Sequence, residues 1–226
     1  MSYKNRKIIA LIPARGGSKR IPGKNIKPMA GKPLLYWAAK AAKGSKYIDE
    51  VWVSTEDPKI KGLVEHLGLG VKVLDRPVEL AEDSSSTESV MIHFMEHVDF
   101  DVLTLIQATS PLTTGSDLNT AIELFFENKY DSLLTGVLQK KFFWTPDGKP
   151  LNYDYMHRPR RQDFEGVIHE NGAFYLTRRE ILEKNRNRLG GKIGIYLFPT
   201  ERGMDIDEPS DWEEAEKSMR NAQKNE

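Results

Sequence analysis

An α/β fold around a mostly parallel sheet is predicted by three features of the sequence. Short apolar runs alternate with segments of helical period along residues 7–137. The runs are continuous rather than polar-apolar alternating, as strands covered on both faces require. Glycine or proline punctuates most junctions between them.

The elements follow in order. Residues 7–12 (KIIALI) read as a buried strand stopped by Pro13. Residues 33–43 (PLLYWAAKAAK) read as a helix with proline in its first turn and Gly44 at its end. A strand at 50–55, a helix at 57–67 closed by Gly68 and a strand at 71–74 come next. Residues 84–98 form a helix in which Ser85 and Glu88 have capping-box spacing. A strand at 101–107, a helix at 116–127 and a strand at 132–137 complete the alternation. Residues 138–170 lose the period and read as a hairpin-like excursion turning at Asp147-Gly148. Its Phe142, Phe143 and Trp144 are too apolar for a free loop, so either the parent domain or a second subunit is expected to cover them. Strands at 172–177 and 192–199 and a helix at 209–219 close the chain, and the tail beyond is expected to fray. The whole chain, 1–226, reads as a single domain carrying that one insertion.

Composition narrows the function. The 226 residues carry 33 Lys+Arg and 33 Asp+Glu, and this neutral total argues against a dedicated nucleic-acid binder. No apolar run approaches a membrane span, and the short one near the N-terminus ends in Pro-Ala-Arg, unlike a signal peptide or anchor. The absence of cysteine excludes disulfides, thiolate metal sites and a cysteine nucleophile, and it suits a cytoplasmic location. The balance is local rather than uniform. Residues 1–50 hold twelve Lys or Arg against two Asp or Glu, whereas residues 201–226 hold four against nine. A basic start on a neutral protein suggests an anionic ligand; a solvated basic face is the plainer alternative.

Ligands of parallel sheets sit beyond the carboxyl ends of the strands. The strongest feature lies there. Residues 13–25 (PARGGSKRIPGKN) follow the first strand and combine three glycines with Arg15, Lys19, Arg20 and Lys24. Glycines let backbone N–H groups approach an anion and the cations neutralise it, which is what a triphosphate requires. It is not a Walker loop: five residues rather than four separate Gly17 from Gly23, and Asn25 stands where that loop has Ser or Thr.

Asp205-Ile206-Asp207 is the second feature. On an extended segment two carboxylates spaced by two share a side, an arrangement suited to Mg²⁺; an acidic lead-in to the last helix is the alternative. Third, Gln107, Thr109 and Ser110 follow the fourth strand and could bind a sugar or base, or simply cap the next helix. Fourth, Arg158, Arg160 and Arg161, followed by His169-Glu170-Asn171-Gly172, could grip a substrate carboxylate or form a solvated basic loop. His93 and His97 match a short zinc-hydrolase pattern, H-x-x-E-H, but the apolar residues between and around them read as a core stripe.

Taken together, IPARGGSKRIPGKN, STEDPKI, DRPVELAEDSSST, LIQATSPL, ENGAFYLT and DIDEPSDW, in this order over residues 8 to about 215, closely resemble the acylneuraminate cytidylyltransferases, the CMP-sialic acid synthetases. The resemblance implies a Rossmann-like nucleotide-sugar transferase fold, with the 138–170 excursion as dimerisation element of a homodimer. It implies that CTP and a nine-carbon α-keto sugar acid give the CMP-sugar and pyrophosphate with Mg²⁺. Arg15 and Lys24 would hold the triphosphate, with Lys19 and Arg20 nearby. Asn25, Arg76 and Ser84 would contact the nucleotide, and Gln107, Thr109, Ser110 and Arg161 the acid. Asp205 and Asp207 would bind the metal, and Arg15, Lys24 and Asp207 would carry the catalysis. The Lys140-Lys141 pair resembles a basic residue that reaches the neighbouring subunit's site. His169 stands where sialic acid enzymes often have a second arginine, so legionaminic, pseudaminic and ketodeoxynonulosonic acids stay open beside N-acetylneuraminic acid. Residues 82–84 (Glu-Asp-Ser) also depart from the family's pattern beside the base, so CTP is the default nucleotide and others stay open. The Lys24-Asn25 ending of the loop separates the chain from the eight-carbon Kdo relatives. A non-catalytic sugar-nucleotide-binding protein of the same fold is the alternative.

Overall fold

The computed structural model describes residues 5–223. Strand β1 (Ile8–Pro13) is buried along all but its last residue. A loop containing a 3-10 turn at Lys24–Ile26 leads to a two-residue hairpin, β2 (Pro28–Met29) and β3 (Lys32–Pro33), and then helix α1 (Leu34–Lys43). Pro33 is the residue just before that helix rather than its first turn. There follow β4 (Glu50–Thr55), α2 (Pro58–His66), β5 (Lys72–Asp75), a 3-10 turn at Val78–Ala81, α3 (Thr87–His97), β6 (Val102–Ile106), α4 (Gly115–Glu127) and β7 (Ser132–Gln139). After the excursion come β8 (Val167–Arg178), α5 (Arg179–Asn185), β9 (Ile193–Leu197), a 3-10 turn at Thr200–Arg202 and α6 (Pro209–Gln223).

Seven strands form one sheet in the order β5-β4-β1-β6-β8-β7-β9. Only β8 runs against the rest, pairing antiparallel with β6 and β7. The strand β1 shows why its sequence is apolar throughout. Ile8, Ala10 and Ile12 join a core with α1, α2 and α4 on one face, while Ile9 and Leu11 join Met91, Phe94 and Leu182 on the other. A third cluster seats Trp212, Ala215 and Met219 of α6 against Ile21, Leu34 and the buried Ile206. That cluster carries the acidic segment near the C-terminus to the glycine-rich loop near the N-terminus.

Several expectations shift at their edges. The cap of α3 is Ser86, whose hydroxyl accepts from the Ser89 N–H, in place of the Ser85–Glu88 pair. A true capping box occurs at α4, between Thr114 and Asp117. Strand β8 begins five residues before the expected Gly172, because Asn171–Phe174 bulge away from β7: Leu134 pairs with Tyr175, but Gly136 already pairs with Glu170. Helix α5 was not anticipated. The expected hairpin in the excursion shrinks to one bridge, Trp144 with Pro150. Phe142 is covered from within by Tyr153 and Phe164, at 4.2 and 4.9 Å, while Phe143 and Trp144 stay exposed. Helix α6 extends to Gln223, and the end of the tail, residues 224–226, lies outside the described residues, as do residues 1–4. Among the described residues no helix is long and apolar enough to cross a membrane.

Candidate active site

The carboxyl end of β1 opens into the glycine-rich loop, and neighbouring strands hold it in place. The Ala14 N–H continues the ladder to the Ser54 carbonyl at 3.0 Å. Glu56, just past β4, accepts the Gly16 N–H at 2.7 Å through one oxygen. Its other oxygen takes the Arg76 guanidinium at 2.8 and 3.2 Å. Both partners of that ion pair are nearly shielded from solvent, so each depends on the other. The buried Asn25 donates to the Arg15 carbonyl at 2.9 Å and fixes the loop from inside. Gly23, at φ +63°, supplies the left-handed turn that opens the 3-10 segment carrying Lys24.

Lys24 points at the other end of the chain. Its ammonium donates to the Ile206 carbonyl at 2.8 Å and lies 3.8 Å from Asp207. Burial holds it below the usual lysine range, against the pull of Asp207 and Asp205, with Arg20 and Arg15 adding to the depression. Asp205 and Asp207 flank Ile206, whose N–H donates to the Thr109 carbonyl at 2.9 Å. Burial pushes the Asp205 carboxyl up, a hydrogen bond from Thr109 opposes this, and the Asp207 charge raises it further. Arg20 approaches Asp207 at 3.4 Å.

Between these segments lies a cleft of about 570 Å³. Arg15, Lys24, Asn25, Arg76, Gln107, Thr109 and Asp207 all line it, as do Lys19 and Arg20. Asp205 does not line it; the residue is exposed, and its carboxylate is hydrogen-bonded to Thr109. Ser110 is buried with its hydroxyl unpartnered and does not line the cleft. Ser84 is exposed, its hydroxyl 3.4 Å from Glu82; the lining positions are the next three, Ser85, Ser86 and Thr87. Arg161 and His169 do not reach the cleft of their own chain. Arg161 donates to the Lys140 carbonyl at 3.2 Å inside the excursion, and His169 is exposed on β8 opposite Val137. The Lys140 ammonium is 3.5 Å from the Gln162 carbonyl. His93 and His97 lie side by side on α3 with ring centroids 4.4 Å apart and planes tilted by 43°, and the His93 carbonyl meets the His97 ring nitrogen at 2.8 Å.

Two site residues escaped the sequence. Glu56 is one; its place directly after a strand was its only signal. Asp83 is the other. Its carboxylate pairs with Arg15 at 2.9 Å and with Lys19, and Lys19 holds it below the ordinary aspartate range. Arg15 also donates to the Ala81 and Glu82 carbonyls. The loop at 15–20 is thus clasped to the turn at 76–87 at two points, by Glu56 and by Asp83.

A family model described as cytidylyltransferase matches residues 9–225. The chain belongs to the cytidylyltransferase family. N-acylneuraminate cytidylyltransferase A of Danio rerio is 41% identical over 224 residues, spanning 96% of this chain and 51% of that protein. The N-acylneuraminate cytidylyltransferase of Oncorhynchus mykiss is 40% identical, over 96% and 51%. The chain thus spans about half the length of these relatives. A pseudaminic acid cytidylyltransferase of Campylobacter jejuni is 29% identical over 92% of this chain and 94% of its own. Among solved structures, a CMP:2-keto-3-deoxy-manno-octonic acid synthetase complexed with CTP superposes with TM-score 0.75 at 20% identity, covering 96% of this chain and 99% of that one. That likeness bears out the nucleotidyltransferase fold class, and the curated relatives bear out the resemblance to the acylneuraminate branch of the family.

Proposed function

We propose that the chain is a Mg²⁺-dependent cytidylyltransferase that joins CTP to a nine-carbon α-keto sugar acid and releases pyrophosphate. One observation carries the reading: Lys24 of the glycine-rich cationic loop meets the Ile206 carbonyl and Asp207 at the edge of the cleft, with Asp205 on the other side of Ile206. The names of the fish relatives support CTP chemistry on a sialic acid, and the Campylobacter jejuni relative supports a wider range of nonulosonic acids.

The cleft divides by chemistry. Leu80 and Val90 give apolar walls for a base, with Arg76 and the Ser85, Ser86 and Thr87 edge to hydrogen-bond it. Arg15, Lys19 and Lys24 face the triphosphate. Gln107 and Thr109 face the acid. The anomeric hydroxyl oxygen attacks the α-phosphorus as its proton passes to solvent water, and the bond from that phosphorus to the bridging oxygen breaks on the far side, releasing pyrophosphate. Lys24 and Arg15 take up the charge that develops on the departing pyrophosphate.

The carboxylate pair fits a divalent cation. Desolvation and the Asp207 charge raise the Asp205 carboxyl against the Thr109 hydrogen bond and Lys24, and a cation beside this exposed pair would relieve its mutual repulsion. Mg²⁺ is an ion that one or two carboxylates can hold, its shell completed by phosphate oxygens and water. When bound, the ion supplies Lewis-acid polarisation of the phosphate and charge neutralisation.

The enzyme acts as a cytoplasmic homodimer, with residues 138–170 as dimerisation and acid-binding insertion of one domain. Exposed Trp144, Tyr155 and Met156 on the excursion and Ile193, Ile195 and Leu197 on the edge strand β9 support a covered face. A dimer also gives Arg161, His169 and the Lys140-Lys141 pair a cleft to serve, that of the neighbouring subunit. The test is ³¹P NMR of CTP, Mg²⁺ and a nonulosonic acid with the protein. Conversion of the triphosphate into a sugar phosphodiester and free pyrophosphate is expected. Binding of CTP without conversion would favour a non-catalytic sugar-nucleotide-binding protein instead.

A further inference from the structure

Asp117 lies in the first turn of α4, where a capping aspartate needs only Thr114 as partner. It has far more. One oxygen accepts from the Thr114 N–H at 2.9 Å, the Thr114 hydroxyl at 2.6 Å and Arg202 Nη1 at 2.8 Å. The other accepts from Arg202 Nη2 at 2.8 Å and the Tyr196 hydroxyl at 2.9 Å. The carboxylate is 4% exposed, and its fork-to-fork pair with Arg202 joins residues 85 apart in sequence.

The position of Arg202 gives this pair a use beyond capping. Three residues later comes Asp205. Between them Gly203 is pressed onto β7, where a Cβ would stand 2.1 Å from Val137 Cγ2. Just beyond Asp205, the buried Ile206 is pinned to the Thr109 carbonyl. The strap that carries both carboxylates is thus fixed upstream by Arg202 and Gly203 and downstream by Ile206. It has one anchored course past Lys24.

We propose that Arg202, held by Asp117, is a positioning residue for the divalent cation: it sets where Asp205 stands relative to Asp207 and Lys24. This rests on the reading of Asp205 and Asp207 as cation ligands given above. Arg202 touches neither substrate nor ion and acts only through the strap. A purely structural tie would affect the melting temperature alone.

The test titrates Mn²⁺ into the protein in the presence of CTP and no acid, reading free Mn²⁺ by electron paramagnetic resonance against the same titration of CTP alone. Arg202→Ala is expected to weaken Mn²⁺ binding about tenfold, the scale seen when residues supporting a metal ligand are removed. The Mg²⁺ half-saturation for turnover rises in step, while the KM for the acid stays within about twofold of wild type, as expected when only the strap moves. Arg202→Lys is expected to recover part of the loss, because an ammonium engages the carboxylate without the planar two-point fork. Asp117→Asn should weaken Mn²⁺ binding in the same direction while also perturbing the Thr114 cap and the Tyr196 contact, and the double variant should be less than additive for Mn²⁺ affinity, because the two variants share the Asp117–Arg202 pair. Unchanged Mn²⁺ affinity in Arg202→Ala and Asp117→Asn, with a lowered melting temperature, would overturn the proposal and leave a structural tie. Wild-type protein that holds no Mn²⁺ with CTP would refute the cation site itself, and the proposal with it.

Discussion

The Lys24 ammonium donates a hydrogen bond to the Ile206 carbonyl at 2.8 Å, across 182 residues of sequence. With the Arg20–Asp207 ion pair, it ties the basic beginning of the chain to its acidic end. The buried Ile206 anchors the contact, and Asp205 and Asp207 stand on either side of it.

Lys24→Met should therefore separate catalysis from folding. If Lys24 meets the departing pyrophosphate as proposed, its loss is expected to lower kcat/KM by about 10²–10³. The charged hydrogen bond to Ile206 is worth about 1.5–3 kcal/mol, and methionine offsets part of its loss by removing a half-buried charge, so urea unfolding should shift by less than that. A large stability loss with modest kinetic change would assign Lys24 to structure.

Glu56→Gln should do the reverse first. Arg76, almost wholly buried, would lose its charged partner, a change that costs about 3–5 kcal/mol in buried pairs. The Gly16 N–H would lose a charged acceptor, so the KM for CTP should also rise. A variant with wild-type unfolding free energy and wild-type KM would contradict the clasp.

Much of this arrangement was legible in the sequence, and the limits have physical causes. The strand Ile8–Pro13 and the loop after it stood out because burial on both faces removes polar residues and an anion site concentrates glycine and cations. Helix Arg179–Asn185 did not, being seven residues that continue directly from a strand. The start of β8 was hidden because Ile168, His169 and Glu170 are exposed and do not read as a covered strand. Three consecutive serines carry no phase of their own, and the family resemblance points to Ser84 where Ser85, Ser86 and Thr87 face the cleft. The Asp117–Arg202 pair leaves no local pattern at all, since its partners meet only in the fold.

Acid sensitivity should be traceable to Glu50 on β4. Lys72, with Trp52 and Lys7, pulls its carboxyl down to about 2 against the opposing effect of partial burial. Because the folded value lies below the unfolded one, the contribution is fully present above about pH 4.5 and is lost as pH falls toward 2. The gap in melting temperature between wild type and Glu50→Gln should narrow over that window. A gap that stays constant from pH 6 to about 2 would contradict the assignment.

The exposed apolar strip on β9 and the excursion should form the subunit contact. Sedimentation equilibrium at micromolar protein should give a dimer, and Ile195→Asp, whose side chain is 39% exposed in the monomer, should give a folded monomer. If Arg161 serves the neighbouring cleft, that monomer should also show a raised KM for the acid. A wild-type monomer with full activity would dismiss the shared site.

Pyrophosphate release from CTP and Mg²⁺, measured with and without N-acetylneuraminic, legionaminic, pseudaminic or ketodeoxynonulosonic acid, tests the central claim most directly. Release is predicted to require at least one of these acids and to stop on chelation of the metal. Folded protein that binds CTP yet releases no pyrophosphate with any of the four would contradict the account.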